Sequence, residues 1–130
     1  MLDRLPGHPL EGCTAATENG HVWIAWYGAV SPCGTYLTRI IPATGDMPTH
    51  ASPVPQPDGF AVRGNRAVFT RRDHSKRAVE LIRAEFHDTT WTVTSRRRLR
   101  VPGRVVLRCG QGRDGSLWLR TGHTWLRIEA

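Results

Sequence analysis

Three tight turns recur along this chain, and each stands between two runs of alternating apolar residues. Asn19-Gly20 divides CTAAT from VWIAW, Gly64-Asn65 divides FAVR from RAVF, and Asp114-Gly115 precedes LWL. Asn-Gly and Asp-Gly tolerate positive φ at both centres of a two-residue turn, and glycine in the first position suits the alternative primed turn. The twist of both turns matches a pair of antiparallel strands. The second hairpin therefore sets Val62 opposite Ala67 and Phe60 opposite Phe69. The pairs Val22-Trp23, Val68-Phe69 and Leu117-Trp118 lie 46 and then 49 residues apart. A repeat of that length is one supersecondary unit that buries its apolar faces against copies of itself.

Another strand follows each hairpin: TYLTRII (35–41), RAVELI (77–82) and TWLRIE (124–129). The best helical alternative is HSKRAVELIRAEF (74–86), but the TTWTVTS that follows is β-branched and alternating, so 77–84 is read as a strand. Outer fourth strands are expected at PTHASPVPQ (48–56), whose prolines suit an edge, and at WTVTSRRRL (91–99). Simple alternation along the latter puts Trp91, Val93, Ser95, Arg97 and Leu99 on one side, with Thr92, Thr94, Arg96 and Arg98 on the other. The third unit lacks a fourth strand because the sequence stops at Ala130. The last hairpin admits two registers. A Gly122-His123 turn sets Leu119 against Leu126, Leu117 against Ile128, Trp118 against Arg127 and Arg120 against Trp125. A Thr121-Gly122 turn instead sets Trp118 against Trp125.

From about Gly12 to Glu129 the chain resembles bacterial β-propeller repeats. The resemblance rests on NGHVWIAW followed by YLTRIIPATGD, and on GRDGSLWLRTGHTWLRI. In such blades a DG-x-LW step opens the second strand, and a turn like PATGD follows the third. The chain lacks the G-H and W-D signature of WD40 repeats and the paired glycines of kelch, and Phe69 replaces tryptophan in the middle unit. The resemblance implies an all-β fold of about three four-stranded antiparallel blades, the last one incomplete, in a single domain over 1–130. Its repeats fall at approximately 12–56, 58–101 and 103–129. Propellers close with about four to eight blades, so a partial ring is expected to be completed by self-association or by a partner chain. Thr124, Trp125, Leu126, Arg127 and Ile128 form the candidate edge-pairing strand, and MLDRLPGHPL or a second molecule is the expected supplier of its neighbour.

The chain carries a formal net charge of +7, distributed unevenly. Residues 1–62 hold 2 basic and 5 acidic side chains, whereas residues 63–130 hold 16 basic and 6 acidic ones. The basic sets TRRDHSKR and SRRRLR nominate Arg71, Arg72, Lys76, Arg77, Arg96 and Arg98 as contacts for a partner or for nucleic acid, since clustered guanidinium groups neutralise phosphates. Their bland reading is a hairpin tip and a solvated strand face. Trp23, Trp26, Tyr27, Trp91, Trp118 and Trp125 are expected to serve mainly in packing, with one or two left as interface anchors.

No catalytic signature is present. Asp73 with His74, and His87 with Asp88, are adjacent pairs at expected turns, where such residues cap backbone. GQGRDG fits neither a dinucleotide nor a phosphate loop. The six histidines show no metal-ligand spacing, and no cofactor is expected. Cys13, Cys33 and Cys109 are read as small hydrophobes of a reducing compartment. No apolar run is long enough for a membrane helix, and the first residues lack a secretory signal, so a cytoplasmic protein is expected. The function expected is a non-catalytic interaction or scaffold module, presenting turns such as 29–34 and 70–77. A nucleic-acid-binding module is the alternative.

Overall fold

The computed structural model describes residues 10–28, 34–73, 78–100, 109–111, 116–121 and 124–130. The protein is all-β, with no helix among these residues. A first sheet contains β1 (Leu10–Glu18), β2 (His21–Gly28), β3 (Gly34–Ile40) and β4 (Thr49–Ala51). A second contains β5 (Gly59–Arg63), β6 (Arg66–Asp73), β7 (Ala78–His87) and β8 (Thr90–Arg100), and a third β9 (Cys109–Gln111), β10 (Ser116–Thr121) and β11 (Thr124–Glu129). Neighbours in sequence are neighbours in space throughout, and every pairing is antiparallel. Among the described residues no helix is long and apolar enough to cross a membrane.

The turn chemistry sets the hairpins. Asn19 and Gly20 have φ of 46° and 80°, closing β1 on β2 with Glu18 opposite His21. Gly64 has φ of 62°, and Arg63 stands opposite Arg66. Phe60 faces Phe69 as expected, their rings stacked at 5.9 Å, and Val62 faces Ala67. The segment 77–84, read as a strand against a helical alternative, lies in β7 from Ala78 on. Asp88 and Thr89 join it to β8 with φ of 48° and 63°. Aspartate visits this left-handed region readily, but a β-branched threonine does so at a cost. In the third sheet Leu119 faces Leu126 and Trp118 faces Arg127, which selects the first of the two registers. Residues 112–115 and 122–123, including the Asp114-Gly115 turn, lie outside the described residues.

Two expectations are corrected. The proline-rich fourth strand pairs only over Thr49–Ala51. Prolines 53, 55 and 57 offer no N–H to a ladder, and the chain turns inward instead. Ser52 Oγ donates to Val54 O at 2.7 Å, Gln56 N donates to Thr35 Oγ1 at 2.8 Å, and the Val54 side chain enters the core fully buried. The second correction concerns β8. Ala84 pairs with Val93 but Arg83 pairs with Ser95, so Thr94 is an extra residue in a β-bulge. A bulge moves every later side chain to the opposite face. Arg96, Arg98 and Arg100 consequently share the face of Trp91 and Val93, while Ser95, Arg97 and Leu99 lie on the other.

The sheets stack with the second in the middle: β1 packs against β5, β4 against β8, and β5 also against β9 and β10. Trp23, Leu37, Val54, Phe60, Phe69, Ile82 and Trp91 fill the space between the first and second sheets. Ala61, Val68, Val79, Leu81, Leu117, Leu119 and Ile128 fill the space between the second and third. β5 and β6 are thus apolar on both faces, which is why FAVR and RAVF read as nearly continuous hydrophobic runs. On the outer face of the first sheet, Ile24 and Trp26 form a smaller buried cluster with Val22, Tyr36 and Ile40.

Candidate functional site

The arginine set is divided by the fold. Arg71 is exposed on β6, opposite Glu80 of β7, which in turn stands opposite Arg98 of β8. Arg96 Nη1 lies 2.8 Å from Glu80 Oε1. Arg71, Arg96 and Arg98 therefore surround one carboxylate on one face of the second sheet, a grouping made by the bulge. Arg72 points to the other face, and its backbone N–H donates to Asp58 Oδ2. Lys76 and Arg77 lie outside the described residues, as does most of the expected 29–34 turn. Among the acid and imidazole pairs, His87 Nε2 reaches Glu85 Oε2 at 3.1 Å, and Asp88 is a turn residue. Among the described residues, no group of three or more His, Cys, Asp or Glu side chains is arranged to hold a metal ion.

The edge strand has a different character. Among the described residues β11 pairs with β10 alone. Trp125 is 50% exposed on one face and Leu126 40% exposed on the other. Arg127 Nη2 reaches Glu129 Oε1 at 3.4 Å on the Trp125 side, and Ile128 is buried in the core. Two of the other edge strands carry protection against sheet extension: β4 is 3 residues long and followed by prolines, and β8 carries Arg96, Arg97, Arg98 and Arg100. Short strands, proline and charge are the usual guards of a sheet edge. β11 presents two large apolar side chains there.

The fold also builds a cleft that no sequence pattern marks. It lies between the first and second sheets, has a volume of about 310 Å³, and is lined by Trp23, Arg39, Pro48, His50, Gly64, Asn65, Phe86 and Trp91. Trp23 and Trp91 meet edge to face at 6.0 Å and 78°, Phe86 and Trp91 lie 5.2 Å apart, and His50 and Phe86 5.0 Å apart. Such offset and edge contacts hold aromatic walls in fixed orientations. The Arg39 guanidinium stands 5.6 Å from the Trp23 ring centre, while Arg39 Nε donates to His21 Nδ1 at 2.8 Å. Glu18, which is 9% exposed, contacts two of the lining residues. Its carboxylate accepts from Trp23 Nε1 at 3.4 Å and from the Gly64 N–H, tying the first sheet to the turn of the second.

These residues come from β1 to β3, the loop before β4, the β5–β6 turn and the β7–β8 hairpin. No spacing in the sequence relates them. Trp23 and Trp91 were recognisable as packing aromatics and do pack, whereas Arg39 and His50 stand alone among apolar or turn residues. Of the remaining tryptophans Trp26 is buried and donates to Thr38 Oγ1 at 2.8 Å, Trp118 is half-buried and Trp125 is exposed. Comparison of the chain with protein-family profiles, curated proteins and solved structures finds no match.

Proposed function

We propose that this chain is a non-catalytic interaction module, built of consecutive blades of the β-propeller type and completed by association with a second copy of itself or with a partner chain. The reading rests above all on β11. An edge carrying exposed Trp125 and Leu126, whose two charges, Arg127 and Glu129, pair with each other, stands beside two outer strands guarded by shortness, proline or several arginines. Pairing of that edge satisfies backbone N–H and C=O groups and removes apolar surface from water in one step, the mode by which strands are added to sheets. The succession of meanders stacked in the same strand order supports the blade assignment.

Light scattering on the full chain tests this reading. Association to a defined dimer or larger ring is expected at micromolar concentration. Trp125→Lys or Leu126→Lys is expected to reduce the mass to that of one chain while leaving the far-ultraviolet circular dichroism intact. A wild-type chain that stays monomeric, folded and without need of a partner refutes it. A nucleic-acid-binding surface is the second reading, favoured by the placement of Arg71, Arg96 and Arg98 on one face. It requires mixed-sequence DNA or RNA to bind with an affinity that falls steeply with salt. Absence of binding at low salt removes it.

A further inference from the structure

We propose that the cleft between the first and second sheets is a binding site for a small planar aromatic anion, a ring bearing a carboxylate. The cleft's volume of about 310 Å³ falls at the lower end of pockets that enclose small ligands, which run from about 300 to 1,000 Å³. Its walls are ring faces and edges from Trp23, Phe86, Trp91 and His50, suited to a flat apolar body. Two further features specify polar groups on that body.

The first is Arg39. Its side chain is half-buried at the cleft, its contacts are the His21 ring nitrogen and the Trp23 face, and among the described residues no carboxylate pairs with it. A guanidinium has five N–H donors in a planar fork matched to a carboxylate, and His21 Nδ1 engages only part of that fork. The second is Trp91. Its Nε1 is the buried side-chain polar atom without a hydrogen-bond partner among the described residues. Indole nitrogen is a donor only; this one is buried, so a ligand acceptor reaches it where the side chains packed over it give way on binding.

The same geometry disfavours a cation, the usual guest of aromatic cages. Arg39 already stands over the Trp23 ring and repels a second positive charge. Glu18, the carboxylate bonded to two of the lining residues, is engaged by Trp23 Nε1 and the Gly64 N–H. The charge wanted in the cleft is therefore negative. This inference uses no part of the β11 edge and stands or falls apart from it.

Three probes that share one ring and differ in charge provide the test: indole-3-acetate, indole-3-acetamide and tryptamine. Each is titrated into the nitrogen-15-labelled full chain, following the indole N–H resonances of its 5 tryptophans, assigned with single Trp→Phe variants. The Trp23 and Trp91 resonances are expected to move. Indole-3-acetate is expected to bind at least tenfold more tightly than tryptamine, with the amide between them. Arg39→Gln is expected to bring the acetate down to the affinity of the amide, and Trp91→Phe to weaken acetate and amide alike by several-fold. Equal affinities for the three probes overturn the proposal, as does tightest binding of tryptamine. Shifts confined to Trp118 and Trp125, or no shift at millimolar ligand, overturn it equally. The charge series on the wild-type chain decides the matter even where a variant fails to fold.

Discussion

Replacing Glu18 by alanine removes the carboxylate that joins the first two sheets. In the folded chain that carboxylate accepts from Trp23 Nε1 at 3.4 Å and from the Gly64 N–H, and the residue is 9% exposed. The indole contact is long and contributes little, while the contact with the backbone N–H is charge-assisted. Hydrogen bonds to a charged group contribute about 1.5–3 kcal/mol each, and at the exposed Gly64 turn water replaces the lost carboxylate. The expected loss for Glu18→Ala is therefore about 2–3 kcal/mol, most of it from the Gly64 side. With about 2.1 cal/mol/K of unfolding entropy per residue over 130 residues, a loss of that size lowers Tm by roughly 7–11 °C. Glu18→Gln keeps an acceptor for the Gly64 N–H and should lose about half as much, since neutral hydrogen bonds contribute about 1 kcal/mol. Urea titration by circular dichroism, with the slope unchanged between variants, provides the measurement. If the alanine variant lies within about 0.5 kcal/mol of wild type, the range of an ordinary surface substitution, the inter-sheet role assigned to Glu18 is wrong.

Other substitutions probe the elements in turn. Phe69 is fully buried between the first and second sheets, and Phe69→Ala should cost about 3–5 kcal/mol in a denaturant titration, through lost burial and the cavity left behind. Thr89 is held at φ of 63° in an exposed turn; Thr89→Gly should stabilise the chain by roughly 0.5–1 kcal/mol, because a left-handed β-branched residue costs about 1–2 kcal/mol and glycine's extra chain entropy offsets part of the gain. A lower Tm for that variant contradicts the assigned turn. Deleting Thr94 removes the bulge and makes Val93 and Ser95 adjacent, opposite the adjacent Ala84 and Arg83, so Trp91 and Val93 stay in the first core and Leu99 stays on the second. A folded variant within about 1 kcal/mol of wild type is expected, and a loss above ~2 kcal/mol, in the range of core disruptions, refutes the register shift between Arg83 and Ala84.

The sequence by itself determined what local chemistry can determine. Asn19-Gly20 and Gly64-Asn65 fixed two hairpins, because positive φ is open to few residues and a two-residue loop leaves one register. The paired apolar runs around Phe60 and Phe69 announced a strand pair buried on both faces. The spacing of 46 and 49 residues announced stacked units. Tertiary structure decided the rest, since it depends on groups far apart in the chain. Alternation along 91–99 could not show that Thr94 is extra, because the bulge is what lets Trp91 enter the first core while Leu99 packs on the second. No sequence pattern joins Glu18 to the Gly64 N–H, 46 residues away, which the stacking of two sheets brings within its reach. The cleft of Trp23, Arg39, His50, Phe86 and Trp91 exists only because two sheets stack. An aromatic side chain has the same period on its strand whether its far edge meets a core or an opening, so the period reports the strand, and only the packing of one sheet on another decides what that strand's side chains enclose.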